Sequence, residues 1–197
     1  VSVMVWVWSN FERDSMAGGR EISQGCVVMQ EISSADTCRR QVPAVIKLVE
    51  WEPRSVNLDV GGGRYEDTTV YLKRLKVTNL VYDPFNRSAK HNRAVLQRVI
   101  DHGGADSVTL MNVLNVIQKP YDRRAVLRIS WKLLREGHPI YIGIYDGDKS
   151  GEGKKTRDGW QENRRASTYL SEVGRFFKIV KSNAKLIVGR RRSNGQK

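Results

Sequence analysis

Between residues 56 and 145, four short apolar runs alternate with longer amphipathic stretches. The runs are VNLDV from Val56, VTNLVY from Val77, SVTLMNVL from Ser107 and IYIGIY from Ile140. Their apolar positions are nearly continuous rather than alternating. That pattern predicts strands covered on both faces, as in a parallel sheet. The stretches between them carry helical spacing. A helix is predicted over 65–75. A second spans 88–100, with Ser88 as its cap and Val95, Leu96, Val99 and Ile100 turned inward. A third spans 121–135, with Ala125, Val126, Ile129, Leu133 and Leu134 inward. The glycines after His102 and the Gly137-His-Pro139 stretch break the pattern where helices must end. Strand and helix in alternation predict an α/β fold: a Rossmann-like, mostly parallel sheet with helices on both faces.

The flanks read differently. Ser34-Ala-Asp36 can start a helix, and Val45, Ile46 and Val49 form a short apolar face. Residues 146–159 are a polar loop rich in glycine and lysine, and 161–177 read as helix. Residues 178–180 and 185–188 can pair as an antiparallel hairpin across Ser182-Asn183. Residues 190–197 read as a disordered basic tail, and 1–30 as a disordered extension. The alternative for the extension is an extra edge strand over 3–8. The expected domain is therefore 31–189.

Composition narrows the class. The chain has 197 residues, 40% hydrophobic and 28% charged, a globular balance that excludes a largely disordered chain. No apolar run reaches the roughly 18 residues of a spanning helix, so no membrane partner is expected. Cys26 and Cys38 are too few for a disulfide scaffold and lack zinc spacing; they read as free thiols in a reducing, cytoplasmic setting. The net charge is +13, and residues 151–197 alone hold 13 basic against 4 acidic side chains. An excess of this kind attracts polyanions, nucleic acid first, and the plain alternative is a soluble protein with a frayed basic end.

The chemistry concentrates in Leu58-Asp59-Val60-Gly61-Gly62-Gly63. An acidic residue near the end of the first strand precedes glycines that can turn tightly into a helix and let a ligand approach the backbone. In a dinucleotide fingerprint a third glycine would stand at Glu66, and Asp67 follows it. Two carboxylates there argue against a pyrophosphate and suit a ligand with a positive centre. Asp83 ends the second strand and can accept two ribose hydroxyls; the alternative is an ordinary Asp83-Pro84 turn.

Asp59-x-Gly61-x-Gly63, followed by an acidic residue closing the next strand, resembles the class I S-adenosylmethionine-dependent methyltransferases. More narrowly, the run NLDVGGGRYEDTTVYL, then VTNLVYDPFNRS, VTLMNVLNVI and YIGIYDGDKSGEG, resembles a group of small phage- and plasmid-borne methyltransferases of undefined substrate. The resemblance implies S-adenosylmethionine as cofactor. It places Asp59, Gly61, Gly62 and Gly63 around the methionine part, Asp83 on the ribose, and an acceptor pocket near the end of the third strand.

One departure stands out: only His102 to Asp106 separates the second helix from the third strand, so a strand common in that family is missing. Its adenine-reading residue goes with it, which leaves Asp106 or Asn86. Asn112 and Asn115 can hold a cofactor amine or a substrate donor, or cap the next helix. Tyr145 can act as base or polar clamp, or be purely structural. The loop from Asp148 to Lys155 can close over the site, with Gln161 and Asn163 reaching back to it. His91, His102 and His138 lack ligand spacing, and no metal is expected. Three activities remain: methyl transfer to nucleic acid, favoured by the basic last quarter and by Lys154, Lys155, Arg157, Arg164 and Arg165; methyl transfer to a small molecule or protein; and cofactor binding without catalysis. Oligomeric state is not readable.

Overall fold

The computed structural model describes residues 35–192; the expectations for 1–30 and for 193–197 fall outside them. Six strands form one sheet: β1 (Val56–Val60), β2 (Thr78–Tyr82), β3 (Ser107–Met111), β4 (Pro139–Gly143), β7 (Phe177–Ser182) and β8 (Leu186–Arg191). Their order is β2-β1-β3-β4-β8-β7, parallel through β4, with β8 antiparallel to β4 and to β7. The helices are α1 (Asp67–Arg74), α2 (Ala89–Asp101), α3 (Pro120–Leu133) and α4 (Leu170–Gly174). Single turns of 3-10 helix cover Ala35–Thr37, Ala44–Leu48, Leu114–Val116 and Ala166–Tyr169. None of the described helices is long and apolar enough to cross a membrane.

Chain handedness explains which helix lies where. From β1 the chain moves outward to β2, then turns back past β1 to β3 and onward to β4. Right-handed crossovers in opposite directions need opposite faces. Hence α1 lies on one face, where its Leu72 packs with Ile46 and Val77. The other two crossover helices pack on the second face: Val95, Leu96 and Val99 of α2 and Val126, Leu127 and Leu133 of α3 join Leu58, Val60, Leu110, Ile140 and Ile142. The order reverses between β1 and β3, and α/β sheets bind ligands at the carboxyl end of such a switch.

Several expectations need correction. Ile100 is exposed, because the helix turns it away from the face that carries Val99. β3 stops at Met111, and Asn112 takes φ 59°. Residues 161–177 are not one helix. Gly159–Glu162 is strand β6, paired antiparallel with β5 (Gly153–Thr156), and only Leu170–Gly174 is α-helical beyond it. The two-residue turn Arg157-Asp158, closed by Gly159 at φ 145°, makes that hairpin. The last strand runs to Arg191, so the first two residues of the expected tail are paired in the sheet. The C-terminal antiparallel hairpin itself forms as expected.

A buried ion cluster ties the β5–β6 hairpin and α4 to α3. Arg123 of α3 is 2% exposed. It donates to both carboxylate oxygens of Glu172, at 2.8 and 3.0 Å, and to the carbonyls of Ile117 and Gln118, at 2.8 and 3.0 Å. Glu162 of β6 lies 3.8 Å away, and the Tyr169 ring lies beneath the guanidinium. One side chain thus ties α3, α4, β6 and the loop after β3. Removing one partner of such a cluster strands buried charge. Arg123→Met is expected to cost about 3–5 kcal/mol in urea unfolding. Adding Glu172→Leu is expected to restore part of it, because the second substitution removes a stranded carboxylate. A loss below about 1 kcal/mol for the single variant would show that the cluster does not hold these elements.

Candidate functional site

The turn after β1 is built around missing side chains. Gly61 has φ 74°, and its N–H donates to the Tyr82 carbonyl at 2.7 Å. A β-carbon at Gly61 would meet Val113 Cγ2 at 2.6 Å, and one at Gly62 would meet the Asp59 carboxylate at 2.5 Å. At Gly63, φ 78°, it would overlap Cys38 Sγ. Val113 and Asp59 belong to the frame of the sheet. Cys38 does not: it comes from the segment beside Ala35–Thr37, is a free thiol, and accepts a hydrogen bond from the Arg64 N–H at 3.4 Å.

Asp83 closes the turn from the neighbouring strand. Its Oδ2 accepts from the Gly63 N–H at 2.8 Å and the Asn86 side-chain amide at 3.2 Å. Its Oδ1 accepts from the Phe85 and Asn86 N–H groups, both at 2.9 Å. Four donors fill a carboxylate's usual acceptor capacity. The glycine turn, Asp83 and Asn86 are therefore one unit, and Arg64 Nε adds a bond to Asn86 Oδ1 at 3.1 Å.

Asp59 points the other way. It is 3% exposed and accepts from Thr109 Oγ1 at 2.8 Å. It ends a polar ladder across β1, β2 and β3: Asn57 Nδ2 donates to Asn79 Oδ1 and Thr109 Oγ1, Ser107 Oγ donates to Asn57 Oδ1, and Asn79 Nδ2 reaches Thr69 of α1. Burial raises the Asp59 pKa to about 6; hydrogen bonds from Thr109 and Asn79 pull it down, and the neighbouring Asp83 charge pushes it further up.

Asn112, Asn115 and Tyr145 all stand at the same carboxyl edge. Asn112 is exposed, and its N–H donates to the Gly143 carbonyl at 2.9 Å. Asn115 is 1% exposed; its Nδ2 donates to Gln161 Oε1 at 3.3 Å, and its Oδ1 has no partner. Gln161 Nε2 in turn donates to the Tyr145 carbonyl at 3.0 Å. Gln161 thus reaches back to the site from β6. Asn163 instead pins the preceding loop through Glu152, Gly151 and Asp148.

Asp106 does not reach this edge. It precedes β3, at the amino edge of the sheet, where it accepts from the Val56 N–H, Arg135 and His102. Of the two adenine candidates, Asn86 alone is at the turn. Of the five basic residues expected around the pocket, Lys154 pairs with Asp148, Arg157 with Asp158 and Arg164 with Glu162; Arg39, Arg64 and Arg87 pair with Asp158, Asp36 and Glu66. Two features had no sequence signal: Cys38 on Gly63, and the Arg123 cluster behind Asn115. Both depend on contacts between distant segments.

No family model matches the chain, and no curated protein matches it. Solved structures do. The 1,6-didemethyltoxoflavin N1-methyltransferase of Burkholderia thailandensis, solved with 1,6-didemethyltoxoflavin and S-adenosylhomocysteine bound, is 17% identical, covers 72% of each chain and has a TM-score of 0.55. An S-adenosylmethionine-dependent methyltransferase of Methanosarcina mazei is 12% identical over 79% of this chain and 100% of its own, with a TM-score of 0.57. TnmH is 21% identical over 75% of this chain and 52% of its own, at 0.53. At these identities the likeness is one of fold: the chain has the Rossmann-like fold seen in the Burkholderia thailandensis and Methanosarcina mazei methyltransferases.

The buried carboxylate gives a pH signature. Folded Asp59 holds its proton more tightly than the unfolded chain does, whose ordinary value is 3.8. Stability therefore falls as pH rises from about 4 through 6, and the cost, about 3 kcal/mol, is complete above that. Asp59→Asn is expected to gain about that much over wild type between pH 4 and pH 7, measured by urea unfolding at each pH. A difference that stays flat with pH would mean that Asp59 titrates as it does in water.

Proposed function

We propose that the chain is an S-adenosylmethionine-dependent methyltransferase with a nucleic-acid acceptor. The observation that carries the methyltransferase reading is the join of Gly63 to Asp83, N–H to Oδ2 at 2.8 Å, which links the carboxyl ends of β1 and β2 beside the point where strand order reverses. Asp83 would hold the ribose hydroxyls, its Oδ2 giving up the longer bond from the Asn86 amide while the Gly63 N–H stays in place. Gly61, Gly62 and Gly63 would carry the methionine part along their backbone, with Asp59 acting from beneath the turn. Asn86 would face the adenine, and Asn112 the amine. The residues fit the group once Cys38 leaves Gly63, since Cys38 is the one residue that a β-carbon at Gly63 would meet, whereas those at Gly61 and Gly62 would meet Val113, Asp59 and Val81.

S-adenosylmethionine supplies a methyl group already activated on a sulfonium sulfur, so the chain's own residues have positioning work to do. Asn115 Oδ1, buried and unpartnered, would accept an acceptor N–H and aim its lone pair. Tyr145, at the end of β4, would clamp the acceptor or take its proton. Glu66 and Asp67 beside the turn favour a cationic ligand over a phosphate. The basic excess supports nucleic acid as acceptor. A small-molecule acceptor is the second reading, favoured by the ion pairing of six basic residues around the site.

Calorimetry with S-adenosylhomocysteine is expected to show binding by wild type and at least a tenfold loss in Asp83→Asn, with circular dichroism unchanged. Absence of heat with wild type overturns the reading. Tritiated methyl transfer is expected to label DNA or RNA; label confined to a small-molecule pool moves the conclusion to the second reading, and binding without any label reduces the chain to a cofactor-binding protein.

Loading the site also moves Cys38. In a Cys26→Ser background, S-adenosylhomocysteine is expected to change the rate at which a thiol reagent labels Cys38 by severalfold. An unchanged rate would mean that the ligand does not touch Gly63.

A further inference from the structure

Three aromatic side chains among the described residues are strongly exposed: Phe85 at 43%, Tyr121 at 57% and Tyr145 at 57%. All three stand at the carboxyl edge. Phe85 follows β2, Tyr121 opens α3 after β3, and Tyr145 follows β4. With the order β2-β1-β3-β4, Phe85 and Tyr145 lie on opposite sides of the glycine turn and Asn112, three strands apart. At roughly 4.8 Å per strand that separation is about 14 Å. Apolar rings are costly to leave in water, and here they gather around one site instead of scattering over the surface.

The basic charge runs from this edge along the outer strand: Lys185 lies at the carboxyl edge, and Lys178, opposite Arg190 and so level with Pro139 at the start of β4, lies toward the other edge. None of the ion pairs among the described residues involves Lys178, Lys181 or Lys185. All three are exposed. β7 is the outermost strand, and its register slips between Ile179 and Lys181. In a regular strand Lys178 and Lys181 would point to opposite faces. The bulge at Val180 sets Lys178 opposite Arg190 and Lys181 opposite Val188, so both lysines share the face away from Phe177 and Ile187. Because β8 runs antiparallel to β4, the β7–β8 turn returns to the carboxyl edge, where the Lys185 carbonyl accepts from the Ile144 N–H at 2.9 Å. Arg190 points to this face too, but it shares its surroundings with Glu50 and Glu52 around Tyr141 and is left out of the surface.

We propose that Phe85, Tyr121 and Tyr145 together with the lysine ridge Lys178, Lys181 and Lys185 form the docking surface for a single-stranded nucleic acid. Unpaired bases stack on exposed rings, and a duplex offers no free base face to them. The lysines hold the phosphate backbone as the strand leaves the edge of the sheet. This inference rests on the methyltransferase reading for its purpose, since it names the acceptor as unpaired nucleotides, but its binding test stands apart from that reading.

The test is fluorescence anisotropy with a labelled oligothymidylate of about 20 nucleotides, single-stranded and as a duplex, between about 50 and 300 mM salt. The single strand is expected to bind at least tenfold more tightly than the duplex. Lys178→Gln/Lys181→Gln/Lys185→Gln is expected to lose at least tenfold in affinity and to lower the salt slope by about 2, because each single-strand phosphate contact contributes about 0.7. Phe85→Ala and Tyr121→Ala are each expected to lose about tenfold. Equal binding of the duplex, an unchanged triple variant, or displacement by polyglutamate as effective as by unlabelled oligonucleotide would each overturn the proposal, the last by pointing to an acidic protein. The triple lysine variant is expected to bind S-adenosylhomocysteine as wild type does. Oligonucleotide binding in a chain that does not bind S-adenosylhomocysteine would keep this surface and remove the methyltransferase reading.

Discussion

The whole site stands on a buried carboxylate. Asp59 fills the space that a side chain at Gly62 would need, and it is tied through Thr109 to β3 and through Asn79 to β2. The turn cannot shift without breaking contacts to both neighbouring strands. Stability alone does not ask for a charge-bearing group here, because burial makes its ionised form expensive. Well-packed apolar residues often do as well or better where ionic groups are buried. What the carboxylate adds is position: hydrogen bonds have direction, and the ladder from Ser107 to Asp59 sets the register of three strands at once.

The reversal of strand order does the rest. Right-handed crossovers send α1 to one face and α2 to the other, and the ends of β1 and β3 open between them. The short connection from His102 to Asp106 leaves β2 at the rim of the sheet. In a sheet with one more strand the loop after β2 would have a neighbour. Here Phe85 and Asn86 form the border, which is why an aromatic ring can sit exposed beside a buried aspartate.

The parallel core was legible because both-sided burial writes itself as unbroken apolar runs, and because Ser88 caps its helix through the His91 N–H as its position suggests. The β5–β6 hairpin was not. GKKT and GWQE are short and polar and carry no period of either kind, and the apolar residues further on extend a helical pattern back to residue 161. The available signal was the Asp158-Gly159 pair, a turn marker outweighed by its charged surroundings. Asp106 shows a different limit. As a residue type it suits a sugar or a base, but it precedes its strand, and in a parallel sheet the residues before a strand face the edge opposite to those after it. Asp59, Asp83, Asn112 and Tyr145 lie near or beyond the ends of their strands, and sequence order alone placed them on one edge. Cys38 and Arg123 were illegible because their roles come from segments 25 or more residues away in the chain.

The basic excess changes meaning once folded. Around the glycine turn, Arg39, Arg64 and Arg87 pair with carboxylates, which lowers the attraction of that region for a polyanion. On the last hairpin Lys178, Lys181 and Lys185 enter none of the ion pairs among the described residues, and a single bulged residue aligns the first two on one face. A charge placed in a frayed tail would move with the tail and fix nothing. On a strand hydrogen-bonded into the main sheet it holds a set distance from the carboxyl edge. The field of the last quarter of the chain is then a property of the sheet's geometry, and it can select where a strand of negative charge lies as well as whether it is attracted.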